Sequence, residues 1–494
     1  MSRRQALSRS LPPREEGISA HRWLCGVLRA EILEGRLRPK TRLPATRTLA
    51  REYRLSRGTV VTAFDQLRAE GYIRGVHGSG TYVNDVLPDE LLQVARARPA
   101  QPFKQTVTRR RLADVARRVV PLPDFEQTAP RAFRANQPAV DLFPTTLWAQ
   151  VASRRLRRAS MRTLIGGDAL GYSPLKEAIA DYVTTSRGVR CEANQVAIIS
   201  GVQEALDLTA RLVLNAGDAV CIEEPGYIGA ALVFAALGAK VVRLPLDAQG
   251  MVLPRTNHRS IKLAYVTPAH QFPTGTAMSL TRRLELLEWA SRAHALIFED
   301  DYDSEFRYSG APLPALQGLD RRGSVIFAGS FSKVLFPSLR LGYLVLPADL
   351  VDRFAALKSI TSRHAPMLDQ AILCDFMTEG HFGRHIRRMR EAYAERLGVL
   401  LACARERLTG LLEISDVEAG LQTVGWLARG ISGTSAARAA ATRSVEITPL
   451  SRYGRVRDGR EGVHLGFAAV DPAEIRRGVS ELAAALESAN RRGR

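Results

Sequence analysis

Apolar positions in this chain change their period along its length, and the changes divide it. From His21 to Glu34 the residues Trp23, Leu24, Val27, Leu28, Ile32 and Leu33 recur at helical spacing and Gly35 closes the run, so a first helix is expected there. After Arg36-Leu37-Arg38-Pro39, Thr46 can cap a short helix through Tyr53, and Ser56 a longer one carrying Val60, Val61, Phe64 and Leu67. Two strand-like runs follow, Gly71 to Arg74 and Gly80 to Val83, with the flexible turn His77-Gly78-Ser79-Gly80 between them. Helix-turn-helix plus hairpin predicts a winged helix. From Asp85 to about Ala135 the rhythm weakens, prolines recur (Pro88, Pro99, Pro102, Pro121, Pro123, Pro130) and Arg109-Arg110-Arg111 forms a basic cluster, the composition of a tether. Beyond it, strand-length runs at 196–199, 219–222, 239–242, 263–266, 296–298 and 325–327 alternate with helical stretches. That alternation predicts an α/β fold, a mostly parallel sheet covered by helices on both faces, with any ligand at the carboxyl ends of the strands. The expected organisation is a DNA-binding module at 1–84, a linker at 85–135 and a ligand-binding domain at 136–494.

Charge sharpens this division. The 494 residues carry a net charge of +20, and residues 1–84 hold sixteen Lys and Arg against seven Asp and Glu, so the N-terminal sixth has nearly half of the excess. Arginine dominates, and its planar fork suits phosphate, so double-stranded DNA is the expected partner of this end. Five scattered cysteines (Cys25, Cys191, Cys221, Cys374, Cys403) suit neither a disulfide framework nor a clustered metal site, and no metal is expected. No run of about eighteen apolar residues appears, and Met1 to Arg9 lacks the apolar segment of a secretory signal, so a cytoplasmic protein with no membrane partner is expected.

The most telling chemistry lies in the second half. Only seven of the seventy basic residues are lysines, and one of them, Lys333, ends the run Ser330-Phe331-Ser332-Lys333, after Glu299-Asp300-Asp301-Tyr302-Asp303 and before Leu339-Arg340-Leu341-Gly342-Tyr343. A lysine that forms a Schiff base with pyridoxal phosphate needs a carboxylate for the pyridinium nitrogen, a phenol near the ring oxygen, and hydroxyls with an arginine for the phosphate. Asp300, Tyr302, Ser330, Ser332 and Arg340 supply these types in order. Ser200-Gly201-Val202-Gln203, between a strand and a helix, offers backbone N–H groups that can cradle a phosphate.

At this point the chain resembles two known families. Leu43-Pro44-Ala45-Thr46-Arg47, Leu55-Ser56-Arg57-Gly58-Thr59-Val60, Leu67-Arg68-Ala69-Glu70-Gly71-Tyr72 and Ser79-Gly80-Thr81 are similar to the GntR family of bacterial repressors, with Lys40 and Ala45 as departures from the usual Gly and Ser. The resemblance implies that Arg57 reaches into the major groove while Ser56, Thr59, Arg47 and the wing, with His77 and Ser79, serve the phosphates and the minor groove. From about Asn136 onward the chain resembles pyridoxal phosphate enzymes of the aspartate-aminotransferase type, fold type I. The fusion resembles the MocR/GabR subfamily of transcription regulators, whose wording recurs in Phe143-Pro144, Glu224-Pro225-Gly226-Tyr227, Thr267 to Gly275 and Glu299 to Tyr308. It implies that Lys333 forms the internal aldimine, Asp300 keeps the ring nitrogen protonated and Tyr302 bonds the ring oxygen. Tyr227 would stack on the ring, and Ser330, Ser332, Arg340 and the backbone of Gly201, Val202 and Gln203 would bind the phosphate. A homodimer is implied as well.

Two departures from that subfamily bear on function. Where relatives carry a carboxylate-gripping arginine, the run here is Val463-His464-Leu465-Gly466-Phe467-Ala468, so His464, with Gln271, becomes the candidate effector contact unless Arg443, Arg452, Arg455 or Arg457 swings in. Where many relatives have a tyrosine that reaches the neighbouring subunit's phosphate, Gly166 stands. The expected function is a pyridoxal-phosphate-dependent, DNA-binding transcription regulator that senses a small molecule, either an amino compound or pyridoxal phosphate itself. The alternative is a bifunctional protein with genuine aminotransferase activity.

Overall fold

Ser56 sets the geometry of the N-terminal unit. In the computed structural model, which describes residues 14, 17–85, 110–122, 129–254, 260–309, 313–414, 417–456 and 458–493, its hydroxyl accepts a hydrogen bond from Thr59 N at 3.0 Å and starts helix α3 (Arg57–Ala69). Helix α1 (Ala20–Leu33) buries Leu24, Cys25, Leu28 and Ile32 against Val60, Ala63, Phe64 and Leu67 of α3. Val61 and Leu33 are exposed instead, each about 100° round its helix from a buried neighbour, Val60 or Ile32. Helix α2 (Thr46–Glu52) begins with Thr46 already helical; its N-cap is Ala45, which has no side-chain oxygen to offer. The wing is the antiparallel pair β1 (Ile73–Val76) and β2 (Gly80–Val83), with Val76 opposite Gly80 and the turn closed by Gly78 in the left-handed region (φ 72°).

The chain divides into the units Met1–Arg110 and Arg111–Arg494. Much of the expected tether, residues 86–109 and 123–128, lies outside the described residues, Arg109 with it. Residues 131–135 are part of the second unit: Phe133 is buried and bridges to Gly466, and the Arg134 guanidinium makes a two-pronged ion pair with Glu446. A one-residue bridge has no periodicity, so nothing in the apolar pattern marks it.

The second unit is built on an eight-stranded sheet. Its strands are β3 (Val196–Ile199), β4 (Ala219–Glu224), β5 (Lys240–Asp247), β6 (Gly250–Met251), β7 (Ile261–Val266), β8 (Leu296–Asp301), β9 (Val325–Ser330) and β10 (Gly342–Val345), in the order β3-β10-β9-β8-β7-β4-β5-β6. Pairings among β5, β4, β7, β8 and β9 are parallel, and β10 runs antiparallel between β9 and β3. Helices cover both faces, as the pattern predicts. Leu263 and Tyr265 of β7 pack on the side of Val202–Val213 and Ile228–Ala236, and Ala264 and Val266 on the side of Leu280–Ala293. A second, antiparallel sheet was not anticipated: β11 (Leu412–Ile414), β12 (Gln422–Leu427), β13 (Thr448–Pro449) and β14 (Gly462–Gly466), in the order β11-β12-β14-β13. Helices His381–Arg407 and Pro472–Gly493 join it to the main core. No helix among the described residues is long and apolar enough to cross a membrane.

Candidate cofactor pocket and nucleic-acid interface

Sheet register brings the pocket residues to one edge. Gly342 of β10 pairs with both Ile199 and Ser330, and Asp301 of β8 pairs with Gly329, so β3, β8 and β9 all release their chains at the same end. The loops starting there carry Gly201, Tyr302 and Lys333, and Asp300 sits in the last turn of pleat before them.

Asp300 is buried and accepts a hydrogen bond from the Tyr265 hydroxyl of β7 at 2.6 Å. Burial pushes its carboxyl up to about 7; Tyr265 pulls the other way, and the neighbouring Asp301 and Asp303 add to the rise. Lys333 Nζ donates to the carbonyl of Asn136 at 2.5 Å. Burial draws its ammonium down to about 8, against the pull of Asp303 and Asp300. The pair thus combines an acid that resists losing its proton with an amine that gives one up easily. Tyr302 is half-buried, with its hydroxyl 3.0 Å from His270 Nδ1, and that nitrogen lies 3.0 Å from each carboxylate oxygen of Asp303. Tyr227 accepts from Gln203 Nε2 at 2.8 Å, and its ring leans on Tyr265 and edges Phe272.

The opposite end of the pocket is a helix N-terminus. Gly201 caps helix Val202–Val213 at φ 114°, a conformation natural only to glycine, and a Cβ there would come within 3.0 Å of Arg340 Nη2. The close approach sets the Arg340 guanidinium against the first turn, whose N–H groups have no intrahelical acceptors. Ser330 Oγ accepts from Ser332 N at 3.2 Å, and Ser332 Oγ is buried with no hydrogen-bond partner.

His464 is fully buried in β14, opposite Val424 and Thr448, with its ring edge-on to Phe272 and Tyr453. Its Nδ1 is 3.3 Å from the Tyr453 hydroxyl, and Nε2 is buried without a partner. Burial, reinforced by His270 and Lys333, drives its pKa down to about 3, so the ring is neutral. Gln271 does not present a free amide: it donates to Glu223, Pro225 O and Phe272 O and accepts from Thr274, bracing its own loop. Beside the pocket lies a cavity of about 320 Å³ walled by Asn136, Tyr227, Phe272, Ile447 and Tyr453; of its two guanidiniums Arg134 pairs with Glu446, and Arg452 has no ion pair among the described residues. Arg457 lies outside the described residues.

In the first unit Arg57, at the first turn of α3, is exposed, as are Arg47 of α2 and His77 in the wing. Ser56 and Thr59 are engaged with each other through the cap, with their hydroxyls 2.8 Å apart, and Ser79 holds the Tyr82 hydroxyl at 2.7 Å. These three shape the surface that the basic residues crown.

Residues 25–83 match the bacterial regulatory proteins of the gntR family, and residues 132–482 match the aminotransferase class I and II family. The probable rhizopine catabolism regulatory protein MocR of Rhizobium meliloti is 41% identical over 475 residues, covering 96% of this chain and 95% of its own. The chain belongs to the MocR type of GntR-family transcription regulators. The pyridoxine biosynthesis regulator PdxR of Corynebacterium glutamicum is 30% identical, over 93% of this chain and 94% of its own. Among solved structures, the kynurenine aminotransferase of Pyrococcus horikoshii superposes with a TM-score of 0.67 at 27% identity, covering 73% of this chain and 92% of that one.

MocR-type architecture implies a pyridoxal phosphate site, and the residues present fit that group. An orphaned buried hydroxyl at Ser332, a glycine-lined helix start beside Arg340 and a buried carboxylate facing a lysine are what a phosphate and a protonated ring nitrogen require. Sequence reasoning missed Tyr265, His270, Asp303 and Asn136. Tyr265 had a signal, a phenol inside an otherwise apolar strand; the carbonyl of Asn136, a backbone atom, had none.

Proposed function

We propose that this regulator holds pyridoxal phosphate between Lys333 and Asp300 and uses the loaded pocket to sense a small molecule, changing how its winged helix engages a DNA operator. The observation that carries the reading is the convergence of Lys333, Asp300, Ser332, Arg340 and the Gly201 helix start on one sheet edge, in a chain whose other unit exposes Arg57 at the start of α3. Bound there, the cofactor supplies an aldehyde for amines and a ring that accepts electrons. The protein's own residues do the rest. Lys333, with its pKa lowered to about 8, holds a larger share of unprotonated amine near neutral pH than an exposed lysine does. Asp300 keeps a proton at the ring nitrogen, with Tyr265 fixing the orientation of its carboxylate. Tyr302 and His270 hold a donor network at the ring oxygen, and Gly201, Val202, Gln203, Ser330, Ser332 and Arg340 grip the phosphate. Tyr227 covers the ring. The protein acts in the cytoplasm as a homodimer, since two linked winged helices gain affinity on paired half-sites.

The neutral His464 favours sensing over turnover, because the ring at this position of the pocket wall offers no charge to an α-carboxylate. One experiment tests the core of the reading. Full-length protein incubated with pyridoxal phosphate and then borohydride should carry the cofactor on the peptide containing Lys333, and Lys333→Ala should take up none. A cofactor fixed elsewhere, or no uptake by the unaltered protein, overturns it.

A further inference from the structure

Glu204 stands where a phosphate site ought not to have an acid. It is the third residue of helix Val202–Val213, in the turn whose unpaired N–H groups face the proposed phosphate position, so its carboxylate brings negative charge to the place meant for a dianion. Its structural role is local, since one oxygen accepts the Ser200 N–H at 2.5 Å and thereby shapes the loop Ser200 to Gln203. The other oxygen meets Lys358. This lysine, on helix Val351–Thr361, is 0% exposed and donates to Glu204 at 2.9 Å and to Ser362 Oγ at 3.1 Å, while the Ser362 hydroxyl donates to the same Glu204 oxygen at 2.6 Å. A lysine is almost never fully buried unless its charge is paired. Burial alone would raise the Glu204 pKa, yet the bonds from Ser200, Ser362 and Lys358 hold it below the ordinary carboxylate range, so the pair is ionic.

We propose that Lys358 is a positioning residue for the phosphate end of the cofactor: it cancels the charge of Glu204, so that this carboxylate can brace the loop without repelling the phosphate. The inference rests on the reading that the Gly201 helix start receives the phosphate of pyridoxal phosphate. It assigns to a helix outside the pocket an electrostatic duty inside it. Lys358 does not touch the cofactor; it acts through Glu204, and the effect is specific to ligands that carry the phosphate.

The test compares pyridoxal phosphate with pyridoxal, which shares the ring and aldehyde but lacks the phosphate, by absorbance titration of full-length protein freed of cofactor. Lys358→Met should weaken pyridoxal phosphate by about tenfold or more, the scale of one uncancelled charge at short range, and leave pyridoxal within about twofold. Adding Glu204→Gln to that variant should restore the ratio of the two affinities. Equal losses for both ligands would reduce Lys358 to a packing residue and overturn the proposal. Should Lys358→Met not fold, Lys358→Gln decides: its amide can still donate to Glu204 but carries no charge, and it should lower the ratio of pyridoxal phosphate affinity to pyridoxal affinity severalfold. An unchanged or higher ratio overturns the proposal, whereas unaltered protein that takes up neither ligand refutes the cofactor reading itself.

Discussion

Tyr265 reaches from β7 to β8 and donates its hydroxyl to Asp300 across 2.6 Å, binding together the two strands that deliver the pocket's acid. The bond orients the carboxylate without neutralising it, and Asp300 stays a costly buried acid with its pKa at about 7.

That cost has a pH signature. Because the folded pKa lies above the unfolded value, the native state holds more protons than the unfolded chain between about 4 and 7, so the contribution of Asp300 to stability falls as pH rises through that window. Asp300→Asn keeps an acceptor for Tyr265 and should stabilise cofactor-free protein at pH 8 by about 1–3 kcal/mol, while weakening pyridoxal phosphate. Melting temperature against pH, with and without cofactor, reads both. A destabilised cofactor-free variant would contradict the account.

Lys333 should show its lowered pKa in kinetics. The rate of pyridoxal phosphate uptake should rise with pH around a midpoint of about 8 and level off above it, well below the range of an exposed lysine. A midpoint of about 10, followed by stopped-flow absorbance, would mean that burial does not govern this amine.

On DNA, Arg57→Ala should cost about 1–3 kcal/mol at a cognate operator and relax preference at one base pair, with affinity falling steeply as salt rises. Fluorescence anisotropy on cognate and scrambled duplexes separates the outcomes. Equal losses on both would make Arg57 a phosphate contact.

Amino acids should bind the loaded pocket poorly, and DNA affinity should respond more to pyridoxal phosphate than to any amino acid, because the neutral ring of His464 offers no fork for a carboxylate. His464→Arg should enlarge the visible spectral shift produced by a panel of amino acids. Turnover of an amino acid and a keto acid at about 1 s⁻¹ or faster, the range of dedicated enzymes, would favour the bifunctional alternative instead.

Light scattering at micromolar concentration should give the mass of a dimer. A monomer there would remove the linked half-site argument.

Sequence carried the architecture because the two halves use different periods, and periodicity follows directly from which side chains must be buried. Ser56 was legible as a cap since its role needs only its own hydroxyl and a residue three positions on. Thr46 misled for a complementary reason: its cap-forming hydroxyl sits on the first residue of the helix, one position past the N-cap, which is Ala45. Strand β10, antiparallel among parallel neighbours and following β9 with no α-helix between, falls outside the strand–helix alternation from which a parallel sheet is legible, and so do the strands of the small antiparallel C-terminal sheet. In the pocket, motif residues could be named but not their partners. Glu204 and Lys358 are 154 positions apart, and each alone reads as a surface charge on a helix.

One contact couples the chemistry of the pocket to the route of the chain. Lys333 Nζ is bonded to the carbonyl of Asn136, and Asn136 comes just after Phe133 and Arg134, the residues that stitch this segment to β14 and Glu446. A ligand that takes the lysine must therefore compete with the backbone of this segment. Occupancy of Lys333 would then be felt first by the main chain at Asn136 rather than by a distant surface.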